Sequence, residues 1–151
     1  MTVEHAHRAA IVVLAVVEHD GVPLIITGDD GALRSWRPDG TLGEFAVDDA
    51  HLGATRALAV VEHDGAPLIV TAGRDGALRR WRLDGTPGEL AVDRAHLGEI
   101  LALAVVEHDG APLIISAGED GTLRSWRLDR ARCARLTRNT AVPSCARPRT
   151  P

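Results

Sequence analysis

The chain of 151 residues contains no lysine and no tyrosine, four aromatic side chains and two cysteines. Cys133 and Cys145 both lie within the last nineteen residues, so no disulfide framework can hold the body of the fold. With no Cys-x-x-Cys pair and no neighbouring histidine, they do not read as a metal site. Three tryptophans and Phe45 are too few for base-stacking platforms, which argues against nucleic acid as a ligand. No run reaches the roughly 18 apolar residues that a membrane-spanning helix needs. The glycines stand in Asp-Gly turns rather than ahead of a helix, so a phosphate-cradling loop is missing too. What is present is ordinary globular material, 25% charged and 45% hydrophobic, in a length that suits one domain.

Charge is unevenly placed. Residues 1–129 hold all 21 acids and 11 of the 17 arginines, leaving −10, whereas residues 130–151 hold six arginines and no acid. The body is therefore acidic, and only the tail could act as a basic arm.

A repeat organises everything before the tail. Trp36, Trp81 and Trp126 are 45 residues apart, as are Asp30, Asp75 and Asp120. The string His-Asp-Gly begins at His19, His63 and His108. Residues 57–84 and 102–129 agree at 23 of 28 positions. The apolar stretch Ala9–Val17 could pass for a signal-peptide core, but nearly the same string, ALAVV, recurs at Ala57–Val61 and Ala102–Val106, inside the chain. It is read as part of the repeat, and the expected location is the cytoplasm.

Each repeat reads as four short strands. The first is apolar on both faces, as a strand covered on both sides would be. After a Gly-Pro-containing turn comes a second, β-branched strand (LIVTAG in the middle repeat), then a tight Asp-Gly turn of the hairpin type. The third alternates, with Leu78 and Arg80 on one face and Arg79 and Trp81 on the other. A further turn leads to GELAVD, the fourth. Four hairpin-linked strands per 45 residues predict an all-β chain of stacked antiparallel sheets, the architecture of a propeller.

At these residues the sequence resembles the WD-repeat β-propeller family, over roughly residues 3–129. The resemblance implies a hydrogen-bonded tetrad in each blade: His7, Thr27, Asp30 and Trp36; His51, Thr71, Asp75 and Trp81; His96, Ser116, Asp120 and Trp126. His precedes Ser/Thr by 20 residues and Asp precedes Trp by 6 in all three repeats. Such a chain makes chemical sense, because a buried carboxylate, imidazole, hydroxyl and indole can satisfy one another. In the first repeat Thr27 lies three residues before Asp30 rather than four. The sequence departs from the family where Ala6-His7, Ala50-His51 and Ala95-His96 replace Gly-His, and where Trp-Arg replaces Trp-Asp at all three tryptophans.

The expected organisation is three blades, at about 5–48, 49–93 and 94–129, and a basic Arg/Pro-rich tail, 130–151, expected to be disordered. Three blades are fewer than the four to eight that close a ring. Residues 1–4 resemble the end of a fourth strand, and the third repeat has no GELAVD-like strand. Three readings stand open: two copies joined as a homodimer into six blades, a fragment of a longer propeller, or an open arc.

The histidines of the EHDG turns are read as products of duplication, with Glu62, His63 and Asp64 pointing in different directions, as also Glu18 to Asp20 and Glu107 to Asp109. No metal and no cofactor is expected. The Ser, His and Asp of a tetrad match a catalytic triad by composition alone, because a hydroxyl between strands offers no access and no oxyanion donors. What remains is surface. The His and Asp loops share one end of the blades, where the resemblance implies partner binding. Among the residues that vary between repeats, Asp49, Arg74, Arg94 and Glu119 are candidates for a partner-binding rim. The function expected is a non-enzymatic protein-interaction scaffold whose partners are other proteins. Alternatives are a detached sensor or regulatory piece of a multidomain signalling protein, and a metal- or carbohydrate-binding propeller.

Overall fold

The structure, a computed structural model, describes residues 2–63, 65–127, 133–136 and 141–143. Its β-branched and alternating runs form three antiparallel sheets. The first is β1 (Val13–His19), β2 (Val22–Gly28), β3 (Leu33–Trp36) and β4 (Leu42–Val47), in chain order. The second repeats it with β5 (Thr55–His63), β6 (Ala66–Gly73), β7 (Leu78–Arg82) and β8 (Pro87–Val92). The third holds β9 (Ile100–His108), β10 (Ala111–Gly118) and β11 (Leu123–Arg127), followed by β12 (Cys133–Leu136) and β13 (Ala141–Pro143). This is the expected all-β class, three blades that do not close. No helix among the described residues is long and apolar enough to cross a membrane.

The turns explain the chain reversals. Between β1 and β2 only Asp20 and Gly21 intervene, with φ of 52° and 74°, and Asp109–Gly110 repeats this at 52° and 74°. Two positive φ values in a row make the hairpin turn whose twist matches the strands, and Asp-Gly is its favoured dipeptide. The tight hairpin thus falls at His-Asp-Gly. The β6–β7 connection, expected to be that hairpin, is longer: Gly73 N–H bonds Ala77 O at 3.3 Å and Gly76 N–H bonds Gly73 O at 3.1 Å. The extra residues carry Asp75 to the ring of His51.

Each sheet packs one face on the next. Cross-strand register puts Val17, Ile26 and Leu33 on the face of the first blade that meets Ile69 and Trp81 of the second; Phe45 joins this core. The opposite face of the second blade, with Val61, Val70 and Leu78, meets Ile100, Ile114 and Trp126 of the third. The first strands lie side by side, β5 touching both β1 and β9. Only β5 is therefore covered from both sides; β1 and β9, expected to be so, leave Leu14, Val16 and Val106 exposed. Glu99 ties the second junction at its rim, one oxygen 3.1 Å from Arg56 Nε and the other 3.1 Å from Arg74 Nε.

The sequence predicts a third blade without a GELAVD-like fourth strand and a disordered tail; seven tail residues instead extend the third sheet. Cys133–Leu136 pairs antiparallel with β11, and Ala141–Pro143 pairs with β12. An outer strand needs only backbone N–H and C=O groups to satisfy those of β11, so no GELAVD-like pattern is required. The rest of that tail lies outside the described residues.

The hydroxyl of Thr55 is buried and makes no hydrogen bond among the described residues, while the equivalent position in the third blade is the buried Ile100. Thr55→Val keeps the branched shape and removes the unmatched polar atom, so it is expected to stabilise the chain by about 1 kcal/mol, read from the urea midpoint. A lowered midpoint would show that the hydroxyl is bonded.

Candidate functional site

The His loops and the Asp turns meet at one end of each sheet, where three networks are built from the same side chains. In the second blade, Trp81 Nε1 donates to Thr71 Oγ1 at 2.9 Å, and Thr71 Oγ1 lies 2.9 Å from His51 Nε2. His51 Nδ1 lies 3.0 Å from Asp75 Oδ1. In the third blade, Trp126 donates to Ser116 Oγ at 2.9 Å, Ser116 lies 2.7 Å from His96 Nε2, and His96 Nδ1 lies 3.0 Å from Asp120. In the first, Trp36 donates to Thr27 at 2.9 Å and His7 Nε2 lies 2.6 Å from the same oxygen.

The carboxylate of the first network is Asp29, not Asp30. Asp29 Oδ2 lies 3.2 Å from His7 Nδ1, and Asp29 is buried whereas Asp30 is exposed. Asp75 and Asp120 follow their Thr71 and Ser116 by four residues, and Asp29 follows Thr27 by two; Asp30 follows by three. Losing one residue from this turn passes the role to the neighbouring Asp. Asp29 also accepts from Ala32 N–H at 2.9 Å, as Asp75 does from Ala77 N–H at 3.1 Å.

The proton directions follow from the residue types. Indole N–H only donates and a carboxylate only accepts. The hydroxyl, accepting from the indole, donates to His Nε2, and His Nδ1–H donates to Asp. The ring is then neutral. Burial drives the His51 pKa below its usual value, more than Asp75 raises it. For Asp75, burial disfavours the charge, but the N–H groups of Leu52 and Ala77 and the ring of His51 outweigh it and lower the pKa. Asp120 is lowered further: against burial stand the Thr122 hydroxyl, His96 and the N–H groups of Leu97 and Thr122.

Residues 89–127, from within β8 to the end of β11, match the WD40 family (WD domain, G-beta repeat). The third repeat is thus similar to a WD40 repeat. No curated protein sequence matches the chain. The family match falls on the third WD40-type repeat, and the second shares 23 of 28 aligned residues with it. Together with three antiparallel sheets that do not close, this bears out the resemblance to a partial WD-repeat propeller.

Several contributors were not singled out from sequence. The hydroxyl of Thr122 donates to Asp120 at 2.7 Å and lies 3.0 Å from His96 Nδ1. The second blade has Ala77 there, so the position looked like surface variation. Gly73 lets the His51 ring lie against the β6 backbone, since a Cβ there would come within 2.5 Å of the ring. Arg34 and Arg79, two residues before their tryptophans, reach Asp48 at 2.6 Å and Asp93 at 2.7 Å, fastening the third strand to the end of the fourth. Arg124 instead donates to Ala95 O.

Of the four rim candidates, Arg74 pairs with Glu99, and Glu119 bonds Glu99 through its backbone N–H (2.8 Å) and its carboxylate (3.2 Å). Asp49 and Arg94 are exposed. Asp49 lines an open cleft of about 720 Å³ with His5, Arg8, Asp30, Arg34 and Asp48. At the opposite end, the expectation that turn side chains point apart fails: Asp20 comes within 3.3 Å of the His19 ring, and Asp109 within 3.3 Å of His108, because the positive φ folds the carboxylate back. Among the described residues no three His, Cys, Asp or Glu converge as metal ligands.

Two tests follow from the networks. Asp29→Ala is expected to cost about 1–3 kcal/mol through a lost buried partner, and Asp30→Ala less than about 0.5 kcal/mol, by chemical denaturation; equal costs would return the role to Asp30. Stability should also fall with pH. Below His51's ordinary value of 6.5 the unfolded chain binds a proton that the folded ring resists, and below 3.8 the unfolded carboxylates do so ahead of Asp75 and Asp120. The melting temperature of the chain is expected to decline from pH 7 to pH 5, and less steeply in His51→Gln. A parallel decline in both would contradict a buried neutral His51.

Proposed function

We propose that the chain is a non-enzymatic protein-interaction module that binds partners through the loop end of its blades. The observation that carries this is the full engagement of the reactive side chains. Ser116, Thr71 and Thr27 are buried, each hydroxyl held between an indole N–H and an imidazole. A hydroxyl so held has neither an open approach for an acyl or phosphoryl group nor unpaired donors to stabilise an oxyanion. The same end displays charged groups on loops fixed from below by the networks, and rigid scaffolds with variable loops suit recognition. The WD40-type match supports the reading at the level of fold, and fold alone is a weak warrant.

Within that end, Asp49 and Arg94 are proposed as the most available rim positions, with Arg74 and Glu119 as positions partly committed to the second junction. The acidic cleft beside Asp49 favours a partner with basic side chains. The experiment is affinity capture with the wild-type chain and with Asp49→Arg/Arg94→Glu, alongside melting curves. Loss of specific partners with unchanged melting is expected. Partners retained by the rim variant would move the binding surface elsewhere. Labelling of Ser116 by a fluorophosphonate would overturn the non-enzymatic reading.

A further inference from the structure

Two sheet faces have no neighbouring blade, and each duplicates one side of a junction the chain already builds twice. On the face that meets the following blade, Val17 is 4% and Val61 2% exposed, but their third-blade counterpart Val106 is 48% exposed. Leu33 and Leu78 are 0% exposed, whereas Leu123, in the same place, is 49% exposed. On the face that meets the preceding blade, Leu58 and Val60 pack into the first core and Leu103 into the second. In the first blade that face carries Leu14 and Val16, 64% and 56% exposed. Apolar strand faces open to this degree mark contact surfaces.

The two open faces complement each other. One is the surface that fits against a following blade and the other the surface that fits against a preceding one. We propose that their occupant is a second copy of this chain, docked head to tail, the third blade of one copy on the first blade of the other. Such a contact uses different patches on its two sides and makes a closed object only if the rotation comes full circle. Two copies give six blades, within the range that closes, whereas one gives too few and three too many.

The backbone supplies the register. The Gly31 carbonyl accepts Ala50 N–H at 2.7 Å, and the Gly76 carbonyl accepts Ala95 N–H at 2.9 Å, each alanine standing just before the His that opens the next network. The same carbonyl in the third blade is that of Gly121, and the same alanine in the first is Ala6. Gly121 O of one copy therefore accepts Ala6 N–H of the other. The proposal concerns the flanks of the blades, but its register uses Ala6, which also lines the cleft beside Asp49; the mass of the Val16→Arg and Val106→Arg variants reads the contact between copies, and capture by the Asp49→Arg/Arg94→Glu variant reads the rim.

The test is the mass of the full chain in solution by light scattering after size exclusion, with Val16→Arg, Val106→Arg and their mixture. The wild type is expected at twice the 16.1 kDa of one chain. Each single variant damages one side of every contact and should fall to the monomer mass. Mixing the two variants restores one undamaged contact, the third-blade face of Val16→Arg on the first-blade face of Val106→Arg, and the doubled mass should return. That recovery also shows both variants to be folded. A monomeric wild type, a dimer that survives both substitutions, no recovery on mixing, or open-ended growth to larger species would each overturn the proposal.

Discussion

In each blade one buried hydroxyl joins the loop to the strands, and the rest depends on it. Thr71, like Thr27 and Ser116, sits between an indole from the third strand and an imidazole from the incoming loop. Removing water from an oxygen at this depth is costly unless its bonds are replaced. The replacement dictates every proton in the chain: indole to hydroxyl, hydroxyl to imidazole, imidazole to carboxylate. In the second blade burial holds the His51 pKa low and hydrogen bonds hold the Asp75 pKa low, so there the ring is neutral and the carboxylate charged. A loop, a strand, a turn and a second strand are thereby joined inside one sheet. Between sheets the forces are of another kind, chiefly apolar contact. The ion pairs of Glu99 with Arg56 and Arg74 have no equivalent at the first junction, where Ala54 and Val12 stand in the corresponding places, and exposed pairs of this sort contribute little.

Much of this was legible in the residues. The 45-residue period, the alternation in the third strand and the offset of 20 between His and hydroxyl are properties of the local chain, and local chemistry repeats where the sequence repeats. Asp29 was misread because counting from the Asp-Gly turn gives one answer and counting from Thr27 gives the other. The turn after Thr27 is one residue shorter than its counterparts, and it brings Asp29 to the His7 ring. Thr122 was hidden for the opposite reason: a position that differs between copies reads as idle surface, although one added hydroxyl there joins the network of its own blade. The outer strand Cys133–Leu136 had no pattern to find, since an edge is completed by backbone atoms.

The exposed faces of β1 and β9 were legible only in part. The sequence makes both faces of these strands apolar, and a strand with that composition is expected between two neighbours. Whether the neighbour exists depends on how many units stand in line, a number that no single unit encodes. The burial of Val17 and Val61 against the exposure of Val106 is thus a matter of position in the series, not of the residues themselves.

The near identity of the two internal junctions bears on how such a chain can change length. Because each blade presents one surface to the unit before it and the complementary surface to the unit after it, a whole 45-residue segment can be gained or lost by unequal recombination with no joint left mismatched. Point substitutions in a packed core must wait for compensating changes nearby, whereas a step of one complete unit needs none. The number of units can therefore drift freely until closure, or the need to bind something, selects a particular count.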